Sequence, residues 1–177
     1  MRQTGLIVLV ALVGLLIGVG AAWMLRPAAP EPVSDGGAEV GDYRPPFRHG
    51  DLDGQWVTAD DFDGQILLVN FWATWCAPCR REMPVLQEAS QTHDGVVSIV
   101  GIAMDDPGAV RDFVEELGIS YPILVGSTDV INTQRAWGNR SGALPYTVLV
   151  DQEGYIRWQH LGEVTGEELA KVLGRYL

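Results

Sequence analysis

The stretch Ile66-Leu67-Leu68-Val69-Asn70-Phe71-Trp72-Ala73-Thr74-Trp75-Cys76-Ala77-Pro78-Cys79-Arg80-Arg81-Glu82-Met83-Pro84 decides the reading of this chain. Its first part, Ile66 to Phe71, is a short apolar run of the kind that marks a strand buried on both faces of a parallel sheet. Its second part sets two cysteines three residues apart where strand gives way to helix. Cysteines so spaced in a first helical turn have neighbouring side chains, close enough for a disulfide without backbone movement. Pro78 suits that turn, where a missing N–H is not needed. The unpaired N–H groups and dipole of a helix N-terminus favour negative charge, so a thiol there falls from about 8.5 toward neutrality. Cys76, the outer cysteine, is the expected nucleophile, and Cys79, one turn deeper, the expected resolver of a mixed disulfide.

Working outward, Val96 to Ala103 is a second buried-strand run, and Asp106-Pro107 then supplies a cap and a first-turn proline. The helix that follows carries Val110, Phe113, Val114 and Leu117, and Gly118 stops it. Upstream, Phe47 to Thr58 holds turn signals at His49-Gly50 and Asp53-Gly54, which predict a hairpin. Downstream, strands are predicted at Tyr121 to Val125, Tyr146 to Val150 and Tyr155 to Leu161, with a short helix over Asp129 to Trp137. Thr165 and Glu168 form a capping box before a last helix whose apolar face runs from Leu169 to Leu177. Strands and helices alternate first and a hairpin plus helix close the domain, so the pattern predicts an α/β sandwich with a mixed sheet over residues 46–177. Pro84 is expected to kink the helix it interrupts.

Ahead of that domain, residues 5–25 carry no charge, and a helix of that length matches a hydrocarbon core of about 30 Å. They read as a transmembrane signal-anchor. A cleaved secretory signal is the competing reading, with Gly20, Ala21 and Ala22 as its small residues, although Trp23, Met24 and Leu25 continue the apolar run beyond them. Residues 1–4 would be a cytoplasmic N-terminus, and residues 26–45, rich in Pro, Gly and acid, a flexible linker. The domain would then face the periplasm or cell exterior from the bacterial inner membrane.

A net charge of −11, with no block of Lys or Arg, excludes nucleic acid as a partner. Two cysteines are too few for a disulfide scaffold, and the three histidines have no ligand spacing, so no metal is expected. No cofactor is expected beyond a Cys76–Cys79 disulfide. An inert cysteine pair, or a non-enzymatic metal-binding or docking module, is the alternative reading of the same residues.

Phe71-Trp72-Ala73-Thr74-Trp75-Cys76-x-Pro78-Cys79, followed by basic residues, Glu82 and Pro84, resembles the active site of the thioredoxin superfamily, in its membrane-anchored TlpA/ResA branch of redoxin (AhpC/TSA-like) domains. The resemblance covers roughly Pro46 to Leu177. It implies a thioredoxin-like three-layer sandwich with an N-terminal hairpin and an inserted βα unit. It implies a thiol-disulfide oxidoreductase that reduces client protein disulfides, as in cytochrome c maturation, with electrons from a membrane thiol carrier of the DsbD/CcdA type. It implies a cis bond at Leu144-Pro145 facing the cysteines, with Leu144 offering main-chain hydrogen bonds to an extended client and Trp75 shaping the client-facing surface. Asn70 stands where cytosolic thioredoxins carry a buried acid, and an amide cannot take a proton. The branch's glutamate after the cysteines matches Glu82, three residues from Cys79, which is expected to manage the Cys79 proton; a solvated helix carboxylate is the alternative. Arg80 either favours the Cys76 thiolate or is an ordinary exposed helix arginine. A peroxidase of the peroxiredoxin type, sharing the fold, is the runner-up activity, but it wants Thr or Ser where Ala73 stands.

Overall fold

The computed structural model describes residues 36–177. The cytoplasmic N-terminus at 1–4, the anchor at 5–25 and the first part of the linker lie outside the described residues. Among the described residues no helix is long and apolar enough to cross a membrane.

A hairpin of β1 (Arg48–Asp51) and β2 (Trp56–Thr58) leads through one turn of 3-10 helix at Ala59–Phe62 into β3 (Ile66–Trp72). Then come α1 (Ala77–Thr92), β4 (Val97–Met104), α2 (Pro107–Leu117), β5 (Ile123–Gly126), α3 (Thr128–Ala136), β6 (Tyr146–Val150), β7 (Ile156–Leu161) and α4 (Gly166–Leu173). One seven-stranded sheet has the order β2-β1-β5-β4-β3-β6-β7. The pairs β3/β4 and β4/β5 are parallel and the remaining pairs antiparallel. The mixed sheet is therefore as the alternation of elements predicts, and β5 with α3 is the inserted unit that carries the sheet beyond β4.

Every residue of β3 is buried, as its unbroken apolar run requires of a central strand. Its side chains alternate between two cores. Ile66, Leu68 and Trp72 pack with α1, α2 and α4 through Met83, Leu86, Phe113, Leu169 and Val172. Leu67, Val69 and Phe71 pack on the opposite face with Phe47, Val130 and Trp137. Three layers result. The helix stops follow their chemistry: Asp106 accepts from Gly108 and Ala109 N–H at the start of α2, and Gly118 ends it in the left-handed region at φ 64°. The α1 helix runs on through Pro84 to Thr92. The last helix ends at Leu173, short of the expected Leu177.

The linker expectation fails over its second half. From Gly36 to Arg44 the chain is bound to the domain as a strap. Ala38 is fully buried and donates to the Ala136 carbonyl at 2.7 Å. The Gly41 N–H reaches the Ile156 carbonyl at 2.8 Å, Ile156 returns a bond to Asp42, and the Arg44 N–H meets the Gly154 carbonyl at 2.8 Å. The Arg44 guanidinium is buried against Asp63, and Tyr43 sets its ring edge-on to Tyr155 at 5.7 Å. The local composition of Pro, Gly and acid concealed this because the strap has no apolar period of its own; its partners lie far along the chain. Gly37 makes the entry turn at φ 74°, where a Cβ would collide with the Arg135 carbonyl. Gly37→Ala is accordingly expected to destabilise the domain by about 1 kcal/mol or more through that strained backbone. Amide exchange should quicken at Ala38, Gly41 and Arg44, and unchanged protection there would show that the turn does not hold the strap.

Candidate active site

At the C-terminal end of β3 the chain turns at Ala73–Cys76, closed by the Cys76 N–H on the Ala73 carbonyl at 3.1 Å. Cys76 is the N-cap of α1, in extended backbone at φ −86°, just outside the first turn where the spacing alone would put it. Its Sγ accepts from the Cys79 N–H at 3.3 Å. The two sulfurs are joined at 2.01 Å with Cα atoms 5.3 Å apart. Cys76 retains 5% exposure and Cys79 none, so the outer cysteine is the one a partner's sulfur can reach. Among the described residues no three His, Cys, Asp or Glu side chains converge as metal ligands.

One turn beyond Cys79, Glu82 is fully buried, which removes the solvated-carboxylate reading. Its two oxygens are each satisfied: Oε1 accepts from the Asn70 amide at 2.7 Å, and Oε2 from the Val164 N–H at 2.9 Å. The Asn70 amide also donates to Thr147 Oγ1 at 3.0 Å. Thr147 lies directly opposite Asn70 in the β3/β6 ladder. Burial dominates the energetics and pushes the Glu82 carboxyl up to about 7, with the Val164 and Asn70 bonds opposing that rise. A carboxyl of this kind exchanges protons near neutral pH.

Trp72 is wholly buried, its ring 5.2 Å from Phe113, whereas Trp75 is 67% exposed beside Cys76. The Leu144-Pro145 bond is cis. Leu144 is half-buried and packs against the cluster that holds both cysteines. Around it, Asn139 donates to the Ala143 carbonyl at 2.7 Å, and Gly162 donates to the Pro145 carbonyl at 2.9 Å. The Leu144 main chain has no hydrogen-bond partner among the described residues. Arg80 turns away from Cys76: its guanidinium lies 4.7 Å from the Phe113 ring centre and pairs with Glu116 at 3.3 Å. Trp75 thus adjoins Cys76 in the chain, Leu144 packs on the cluster that includes both cysteines, and Glu82 lies one helical turn beyond Cys79.

Sequence reasoning missed Thr147, Val164 and Asn139. Thr147 left one signal, a small hydroxyl side chain between the aromatic Tyr146 and the aliphatic rest of β6. Val164 acts through its main chain, which no side-chain pattern shows.

The AhpC/TSA family model matches residues 40–159. The thiol-disulfide oxidoreductase ResA of Bacillus thuringiensis (strain Al Hakam) is 32% identical over 134 residues, covering 74% of this chain and 75% of that protein. ResA of Geobacillus thermodenitrificans (strain NG80-2) is 34% identical over 137 residues, covering 76% of each. Among solved structures, a putative thiol:disulfide interchange protein DsbE from Chlorobium tepidum superposes with a TM-score of 0.70 at 22% identity, over 78% of this chain and 97% of that one, and so shares the fold. With its redox pair at the helix N-terminus of this fold, the chain belongs to the AhpC/TSA family of the thioredoxin superfamily, as a thiol-disulfide oxidoreductase of the TlpA/ResA type.

Proposed function

We propose that the protein works as a reductase of client protein disulfides outside the cytoplasm, with the segment at 5–25 as its membrane anchor. The observation that carries this reading is the placing of a buried carboxyl of near-neutral proton affinity one helical turn beyond the deeper cysteine. The Ala-Pro pair between the cysteines, lacking the His of strongly oxidising relatives, supports the reductive direction.

In the reduced protein, the Cys76 thiolate attacks one sulfur of the client disulfide. A mixed disulfide forms, and the client's other sulfur leaves as a thiolate. Glu82 then takes the Cys79 proton, and the Cys79 thiolate attacks Cys76 Sγ. The Cys76–Cys79 disulfide forms while the client's second thiolate departs; two electrons have passed to the client. A membrane thiol carrier of the DsbD/CcdA type would return the pair to the dithiol. An extended client segment fits along Leu144, whose main-chain N–H and carbonyl have no partner among the described residues, with Trp75 against its side chains. Apocytochrome c and copper-site cysteine pairs are the client class this chemistry suits.

Trapping tests the reading directly. Cys79→Ser expressed in the native cell should accumulate mixed disulfides between Cys76 and proteins that carry Cys pairs, and recovery of no such partner would sink it. Glu82→Gln should flatten the pH dependence of the resolving step between about pH 6 and 8, measured as release of a model client from the Cys76 mixed disulfide. An unaltered profile would remove Glu82 from the mechanism.

The same carboxyl predicts a pH-dependent stability of the oxidised protein, in which the cysteines do not titrate. The folded value of about 7 lies above the ordinary 4.5. Its contribution is therefore fully present below pH 4.5 and is lost as pH rises through 7, a fall of about 3 kcal/mol. Denaturant unfolding of the oxidised protein should show this decline, and Glu82→Gln should remove it.

A further inference from the structure

A second carboxylate grips the redox turn from the other side. Asp105, at the end of β4, accepts through one oxygen, Oδ2, from both the Thr74 N–H at 3.1 Å and the Thr74 hydroxyl at 2.5 Å. Its Oδ1 accepts from the Asp106 N–H at 2.9 Å. Thr74 lies two residues before Cys76, inside the turn that the Cys76 N–H closes on Ala73. Burial works to raise the Asp105 carboxyl, but the bonds from Thr74 and Asp106 outweigh it and hold the group below the usual carboxylate range, so it is charged at neutral pH. Among the described residues no cation pairs with Asp105.

Among the described residues, the cations of α1 nearest the cysteines in the chain are paired elsewhere. On α1, Arg80 is engaged by Glu116 of α2 and Arg81 by Glu163 of the segment after β7. Asp106, beside Asp105, is the cap of α2 and adds negative charge. The helix N-terminus draws the Cys76 thiol toward thiolate, and a fixed carboxylate on the same turn opposes it.

We propose that Asp105 is a positioning residue for the exchange reaction that also sets the redox poise: it fixes the Thr74–Cys76 turn and, through its charge, holds the dithiol–disulfide couple toward the reducing side. The physical link is the thiolate. A negative charge held on Thr74, two residues before Cys76, disfavours the Cys76 thiolate, which exists only in the reduced protein, and so favours the disulfide that forms when electrons are given up. This rests on Cys76 as the attacking cysteine, and it gives the proposed reductive direction a structural cause.

Asp105→Asn tests it, because the amide keeps the shape and one acceptor oxygen while removing the charge. The midpoint of Cys76 alkylation in the reduced protein should fall by about half a unit or more, a roughly threefold gain in thiolate stability. In glutathione buffers at pH 8, the equilibrium of protein disulfide plus two glutathione thiols with protein dithiol plus glutathione disulfide should move roughly threefold toward the dithiol. Thr74→Val separates the two roles, since it loses the hydroxyl bond but keeps the Asp105 charge. It should leave the alkylation midpoint in place or raise it. An unchanged midpoint and equilibrium in Asp105→Asn, or an equal fall in Thr74→Val, overturns the proposal. Both measurements use glutathione alone, so they stand apart from the trapping of clients that tests the reductase reading.

Discussion

The burial of Glu82 between two N–H donors is the constraint on which the rest of the site depends. A carboxylate taken out of water at this depth is costly, and it is retained only where hydrogen bonds meet its oxygens. Here those bonds come from β3 through Asn70 and from the approach to α4 through Val164. The carboxyl thereby links the helix that bears the cysteines to the central strand and to the last helix. Moving α1 by even a fraction of its width would strand the charge. The geometry of the disulfide is thus tied to the satisfaction of one buried group.

That arrangement divides the two cysteines chemically. Cys76 sits at a helix end, reachable from outside and governed by dipole and surface charge. Cys79 sits inside, where the dielectric is low and a thiolate forms only if a neighbour accepts its proton. The order of events in the exchange follows from these two environments. In the proposed exchange the first attack would draw on a thiolate at the surface, and the second would wait for a proton transfer below it.

Much of this was legible from residues. Strand β3 and its alternative cores follow from one unbroken apolar run, the capping box at Thr165 closes the last helix as its spacing foretells, and the Cys pair falls at the helix entrance within one residue of its expected place. Asn70 and Glu82 stood out only through the resemblance to the thioredoxins, which sets Asn70 at their buried-acid position and matches Glu82 to the branch's glutamate. What stayed hidden shares a physical character. Val164 and the strap from Gly36 act through main-chain groups, and Asp105 meets Thr74 across a gap in sequence that no periodicity spans. Arg80 was ambiguous because spacing on a helix gives a neighbour at four residues but not the pull of Phe113 and Glu116 on another helix.

The strap has a mechanical consequence. A pull on the chain from its N-terminal side is borne first by the bonds of Ala38 to Ala136, Gly41 and Asp42 to Ile156, and Arg44 to Gly154. These run between the strap and the α3 end, the β6–β7 turn and the start of β7. A load entering at Gly36 therefore meets hydrogen bonds at the rim of the sheet before it meets β1. The strap's bonds thus fall on the end of α3 and on the edge strand β7 with its turn, not on β3, whose end bears the redox turn.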